Sequence, residues 1–391
     1  MGDLPLAELE DKTPLEAAFT PNLNRMAKCG KTGLMHVMGE GIRPNSDEAH
    51  LTLFGYNLPQ DYPGRGPIEA LGVGLTLGEK DITLRGNLAT VDKDLRVIDR
   101  RAGRIKDPTP FVKNLNGMKI NGVEFLVKPG TGHRVIIVMR GEGLSDKISN
   151  SDVHYPAQDK ILTDWSLLPV NKIVPLDSTS KAKNSAEILQ KFLDISHKIL
   201  EKNPLNQNRK LKANYILTRG AGRYKKIPTF KEKFGISACC IAGGGLYKGL
   251  GRVMGMEIIK VRGATGLANT DVSAKIMAAK KSLDNYNFVF VHIKPPDIFG
   301  EDGDFLGKKN FIEKTDRAID GLDEEETVIA VTSDHSTPCS LKDHSKDPVP
   351  LLIYQRGREG DGFNKFSERN CQKGSLGMIE GKNFMKLIFE N

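Results

Sequence analysis

The stretch Val328–Val349, V-I-A-V-T-S-D-H-S-T-P-C-S-L-K-D-H-S-K-D-P-V, decides how the chain is read. Its first four residues are apolar and mostly β-branched, the pattern of a buried strand. The run stops at Ser333, and Asp334, His335 and His344 follow just past the strand's carboxyl end. In open α/β sheets that edge is where ligands and metals gather. Carboxylate oxygens and imidazole nitrogens together suit a catalytic divalent transition metal with a position left open for substrate. In isolation S-D-H-S reads more readily as a helix cap followed by surface histidines. The rest of the chain has to decide between the two.

Upstream, Phe288–Ile293 (F-V-F-V-H-I) is a second strand of the buried kind, ending in K-P-P-D-I-F-G-E-D-G-D. Asp297 and Glu301 therefore stand at its end as Asp334 and His335 stand at the other. Helical patterns are expected over about Thr270–Asn285 and Phe305–Leu322, so strands and helices alternate. The strand-like I-S-A-C-C-I-A-G precedes G-G-L-Y-K-G-L-G-R, where Lys248 is expected in a Gly-rich turn that could present its ammonium to an anion. Near the start, glycines and a proline precede Asn45-Ser46-Asp47, and Ala49, Leu51, Leu53 and Phe54 follow. Ser46 is thus expected at a helix N-terminus, where free N–H groups and the dipole can hold a phosphate. A simple capping role is the competing account. Arg65-Gly66 and Arg85-Gly86-Asn87 each set an arginine beside a glycine that lets backbone approach a ligand.

From about residue 76 the pattern changes to short alternating runs, read as strands joined by Gly and Asp turns. The polar segment Ser145–Gln158 reads as a loop. A helix with one broad apolar face is expected over Ser180–Lys202, with His197 on it and no chemistry assigned. Asn214–Gly222, N-Y-I-L-T-R-G-A-G, reads as a strand running into an arginine and glycine turn.

At 391 residues two domains are expected. No apolar run approaches the ~20 residues that span a bilayer, and the first residues lack a basic segment followed by an apolar one. Five scattered cysteines argue against a disulfide framework. A reducing cytoplasm and no membrane partner are the expectation. The net charge is +8, densest over Arg209–Arg262, with aromatics at only 6%. A small phosphorylated metabolite suits that field better than nucleic acid, which would want interleaved aromatic platforms.

Six motifs occur in order: N-S-D-x-A-H-L-x-L-F-G-Y from Asn45, G-R-G-P-x-E-A-L-G from Gly64, L-R-G-N-x-A-T-V-D from Leu84, L-x-R-G-A-G from Leu217, T-S-D-H-S-T-P-C from Thr332 and H-S-x-D-P-V-P from His344. Together they resemble the archaeal-type, cofactor-independent phosphoglycerate mutases of the alkaline phosphatase superfamily. The resemblance implies an α/β fold: an alkaline-phosphatase-like metal domain with a mainly parallel sheet, interrupted by a smaller inserted α/β domain. The metal domain would take 1–75 and 230–391, and the inserted substrate-binding domain 76–229. It implies an isomerase that interconverts 3- and 2-phosphoglycerate through a phosphoserine, with two divalent metals, manganese first and zinc, cobalt or magnesium as alternatives. By position, Ser46 matches the nucleophile and a ligand of one metal, with Asp334 and His335. Asp297 and His344 match ligands of the other. Arg65, Arg85, Asn87, Arg219 and Lys248 match substrate-binding positions, Arg219 and Lys248 also serving the transfer. Readings kept beside this one are a metal-dependent phosphomonoesterase, a phosphopentomutase, and a non-catalytic phosphometabolite-binding protein.

Two departures stand out. Glu301 occupies the place of a histidine in the family's D-x-x-x-H, which predicts a metal site of altered preference. The chain also begins at Met1-Gly2-Asp3, where the family continues after a strand ending in Asp-Gly. That strand and its aspartate ligand are expected to be missing from the chain as given, with Asp3 not expected to substitute.

Overall fold

The computed structural model describes residues 1–155, 166–322 and 326–390. The loop expected over Ser145–Gln158 therefore runs partly outside the described residues. Two compact units form: Met1–Tyr62 with Pro228–Asn391, and Pro63–Ile227. The first crossing falls at 62/63 rather than 75/76, because the helix Arg65–Gly72 packs on strands Ile82–Val91 and Tyr215–Arg223 of the second unit. The return crossing falls at 227/228, two residues before the expected 230.

The first unit is mixed α/β with two sheets. Strands Phe288–Val291, Ala238–Ile241 and Glu257–Ile258 form a parallel sheet in that order. Strands Val328–Val331, Val349–Gln355, Lys31–His36 and Gly377–Glu380 form the other, antiparallel except for its last pair. Phe288–Val291 and Val328–Val331, read from sequence as buried strands, are partly buried apart from Ile329, which belongs to the core. Both are outermost strands, and each has one edge that pairs with no strand among the described residues. The core beneath the second sheet joins Leu15, Leu23, Met26 and Ala27 to Phe311, Ile312 and Leu352. The two long helices, Val272–Ser282 and Phe305–Ala318, are capped by the side chains of Asp271 and Asp304, which accept from backbone N–H groups three residues on.

Lys248 lies inside the helix Gly245–Val253, not in a turn. Tyr247, Leu250 and Val253 recur at helical spacing and are buried. The glycines permit close packing: a Cβ on Gly251 would come within 2.9 Å of Cys240 Cβ.

The second unit is built on an antiparallel sheet, in the order Val97–Asp99, Ile82–Val91, Arg134–Arg140, Val123–Pro129, Met118–Ile120, with Tyr215–Arg223 also paired to Ile82–Val91. The helix Ser180–Glu201 covers it, and Phe192 stacks on Phe125 with centroids 4.1 Å apart. His197, on this helix, hydrogen-bonds the Asn214 carbonyl (2.7 Å) and lies against the Tyr215 ring with centroids 5.7 Å apart.

Candidate active site

Ser46 is the first residue of the helix Ser46–Leu53, after Asn45 in extended conformation. Pro44 disfavours helical backbone at Arg43, and the extended Asn45 marks the helix start. Ser46 is buried, and its Oγ lies 3.1 Å from His335 Nε2. The same imidazole nitrogen is 3.2 Å from Asp334 Oδ2. Asp334 and His335 follow the strand Val328–Val331 directly, so the sheet edge carries them to the helix that presents the serine.

The other face of His335 looks toward Asp297 and His344. Its ring stacks on that of His344 with centroids 3.6 Å apart, and His344 Nε2 is 3.6 Å from Asp297 Oδ1. One donor atom each from Asp297, His335 and His344 fall within 4.8 Å of one another. The resemblance divides these residues between two metals, with His335 beside Ser46 and Asp334. In space His335 stands between the two groups and faces both. Glu301 lies at the margin: its Oε1 is 3.9 Å from His344 Nε2, and its side chain is 50% exposed.

The cluster concentrates charge. Burial opposes ionisation of Asp297, but the Lys294 ammonium, which hydrogen-bonds it, and His335 hold its carboxyl below the ordinary range. Burial likewise opposes charge on Asp334, yet His335 and His50 keep it well below that range. Burial drives His335 down, but Asp334 and Asp297 together carry it above the ordinary imidazole range. His344 is lowered by burial and by the neighbouring His335. Asp334 Oδ2 has no hydrogen-bond partner among the described residues although it is buried. A buried anionic oxygen left this way is costly. Its closeness to the imidazoles of His335 and His50 fits a carboxylate–imidazole site for a divalent metal.

Residues that sequence reading did not single out complete the site. His50 Nδ1 contacts the Ser46 carbonyl at 2.6 Å and is 3.5 Å from Asp334 Oδ2. Its place four residues after Ser46 on one helix face was a usable signal. Tyr247 stacks on His292 at 3.3 Å, and Lys294 Nζ lies 5.9 Å from the Tyr247 ring centroid. Burial pushes the Tyr247 hydroxyl up to about 12. Thr337 Oγ1 donates to Asp297 Oδ1 at 2.6 Å. Lys248, next to Tyr247, instead bears electrostatically on Cys240 and Lys275. Asp3 is buried and paired with Lys308 (2.7 Å).

The second unit gathers its arginines separately. Arg85 and Arg219 face one another as cross-strand partners. Glu69 Oε1 lies 3.0 Å from Arg85 Nε and 3.2 Å from Arg65 Nε. Asp152 pairs with Arg100 (2.6 Å) and Arg219 (3.1 Å), and Arg219 lies 4.4 Å over the Tyr155 ring. Asn87 is buried on the same strand as Arg85. Burial, offset in part by Glu69 and reinforced by Arg65 and Arg219, brings Arg85 down to about 10. Four guanidiniums around two carboxylates leave a positive excess suited to an anion.

A buried serine at a helix start, facing paired carboxylates and imidazoles on a mixed α/β frame, has the composition of a metal-assisted phosphoryl-transfer site. The family model for 2,3-bisphosphoglycerate-independent phosphoglycerate mutase matches residues 27–206. A protein of that name from Archaeoglobus fulgidus is 44% identical over 98% of this chain and 94% of its own length. Another from Methanocaldococcus jannaschii is 41% identical over 97% of this chain and 92% of its own. Among solved structures, a Pyrococcus horikoshii protein superposes with a TM-score of 0.82 at 34% identity, covering 100% of this chain and 94% of its own. The cofactor-independent phosphoglycerate mutase of Thermoplasma acidophilum gives 0.71 at 33% identity, covering 100% and 96%. The chain belongs to the 2,3-bisphosphoglycerate-independent phosphoglycerate mutases, isomerases that act as intramolecular phosphotransferases. No helix among the described residues is long and apolar enough to cross a membrane.

Proposed function

We propose that this chain interconverts 3-phosphoglycerate and 2-phosphoglycerate by way of a phosphoserine at Ser46, as a cytoplasmic enzyme. The observation that carries the reading is the 3.1 Å approach of Ser46 Oγ to His335 Nε2, the same nitrogen that lies 3.2 Å from the buried Asp334 carboxylate. Asp334, His335, Asp297 and His344, with Ser46, would hold two divalent cations, manganese by resemblance, and Glu301 lies close enough to His344 to join them. When bound, such cations lower a hydroxyl's pKa and neutralise charge on a transferring phosphoryl group.

In this reading the serine oxygen displaces the glycerate oxygen at phosphorus, and the glycerate alkoxide takes up a proton. The neighbouring glycerate hydroxyl then attacks the phosphoserine, so the phosphoryl group returns one carbon along and the serine hydroxyl is restored. The helix N-terminus beneath Ser46 favours charge on the phosphoryl oxygens. Lys294 holds Asp297 ionised. Arg65, Arg85, Asn87 and Arg219 of the second unit, the inserted substrate-binding domain of this reading, are assigned to the substrate's phosphate and carboxylate. Lys248 keeps a phosphate-binding role by resemblance alone.

The test is an enolase-coupled assay with added Mn²⁺ and product analysis, beside mass spectrometry of protein quenched with 3-phosphoglycerate. Phosphate on Ser46 and formation of 2-phosphoglycerate are expected. Release of inorganic phosphate as the main product would make the chain a phosphomonoesterase, and binding without turnover a phosphometabolite-binding protein.

A further inference from the structure

Thr337 belongs to none of the ligand sets above, yet its hydroxyl stands between two of their members. Its Oγ1 is 2.6 Å from Asp297 Oδ1 and 3.0 Å from His335 Nδ1. A hydroxyl carries one hydrogen, and a carboxylate can only accept. That hydrogen is therefore committed to Asp297, and Nδ1 must be the donor in the second contact. Neutral His335 then holds its ring hydrogen on Nδ1 and turns a bare lone pair at Nε2 toward Ser46 Oγ (3.1 Å) and Asp334 Oδ2 (3.2 Å). Two electron-pair donors so close in a buried place repel one another unless a cation or proton stands between them.

Thr337 is itself firmly seated. Its carbonyl accepts from Lys308 Nζ at 2.9 Å. That ammonium also donates to the Gly2 carbonyl (3.0 Å) and to Asp3 Oδ2 (2.7 Å). Asp3 in turn accepts from the Cys339 amide at 3.1 Å, so the ion pair grips the chain on both sides of Pro338. Gly300, on the helix that carries Asp297, packs so closely that a Cβ there would come 2.3 Å from the Thr337 carbonyl. The loop and the helix are thereby held at one spacing.

We propose that Thr337 is a positioning residue: its hydroxyl, seated by the Lys308–Asp3 pair, fixes the His335 tautomer and presents Nε2 as a ligand on the Ser46–Asp334 side. The metal-binding half of this statement rests on the reading under Proposed function, while the tautomer does not. Partners of this kind that orient a ligating histidine are worth about 10–100-fold in metal affinity.

The full chain, labelled with ¹⁵N-histidine and recorded metal-free in alkaline buffer, reports the tautomer by long-range ¹H–¹⁵N correlation. The His335 signals are assigned by their loss in His335→Asn. The Nδ1–H form is expected. Mn²⁺ titration by electron paramagnetic resonance should show Thr337→Val binding about 10–100-fold more weakly than wild type, with Thr337→Ser within a few-fold. An Nε2–H signal in the wild type, or equal Mn²⁺ affinity in wild type and Thr337→Val, overturns the proposal. Absence of Mn²⁺ binding by the wild type sinks the metal reading instead, and the tautomer measurement still decides the role of Thr337. Should Thr337→Val not fold, the wild-type spectrum and Thr337→Ser decide alone.

Discussion

Ser46 Oγ lies 3.1 Å from Nε2 of His335, although 289 positions of chain separate the two residues. One is delivered by a helix start and the other by a strand end, so neither depends on a long flexible loop. Ser46→Ala removes only an oxygen from the first turn and leaves Asn45 at the helix cap. We expect mutase activity to fall by at least about a thousandfold, as when an activated nucleophile is removed, with the melting temperature nearly unchanged. Retention of activity by this variant in the enolase-coupled assay would refute the phosphoserine route.

Asp297, His335 and His344 bring their donor atoms within 4.8 Å of one another, and a ligand bound only by the folded state stabilises it. At a free metal concentration a hundred times Kd the gain is about 2.7 kcal/mol. Mn²⁺ added to chelator-treated protein should therefore raise the melting temperature by several degrees, and EDTA should reverse it. His344→Ala should reduce the rise. A melting temperature indifferent to Mn²⁺ and EDTA would remove this cluster from consideration as a metal site.

The strand ends that frame the site were legible because Asp297, Asp334 and His335 each abut an apolar run. Ser46 was legible from the proline and glycines before it and the apolar positions after it. The supporting residues were not, for a physical reason. His292 comes just after the strand Phe288–Val291 and Thr337 lies in a loop, each a lone polar residue whose role appears only when distant elements meet. The glycines around Lys248 read as a turn although they belong to a helix, because they serve its close approach to Cys240. Strand burial was overread for Phe288–Val291 and Val328–Val331, since an apolar run does not say whether both edges are paired.

Arg219 reads its surroundings as a planar fork, bonded to Asp152 at 3.1 Å and lying 4.4 Å over the Tyr155 ring. Lysine keeps the charge but loses the fork and the stacking. Arg219→Lys should raise KM for 3-phosphoglycerate about 10–100-fold, the equivalent of a charge-assisted hydrogen bond of about 1.5–3 kcal/mol, with the fold intact. Steady-state kinetics and a thermal melt check both halves. An unchanged KM and kcat would release Arg219 from the substrate site.

Glu368 supplies a pH dependence away from the candidate metal ligands. It accepts from Thr13 Oγ1 (2.7 Å) and from the Asp3 amide (3.3 Å), and burial pushes its carboxyl from 4.5 up to about 7. The native state thus binds a proton that the unfolded chain has already released, and stability falls as pH rises wherever that holds. The contribution is fully present below about 4.5 and is lost as pH climbs through about 7. Glu368→Gln, which is neutral throughout, should flatten the stability curve across that window and be more stable than the wild type above pH 7, relative to their difference at pH 4.5. Denaturant melts of both proteins at several pH values measure this, and parallel curves would show that Glu368 titrates normally in the folded chain.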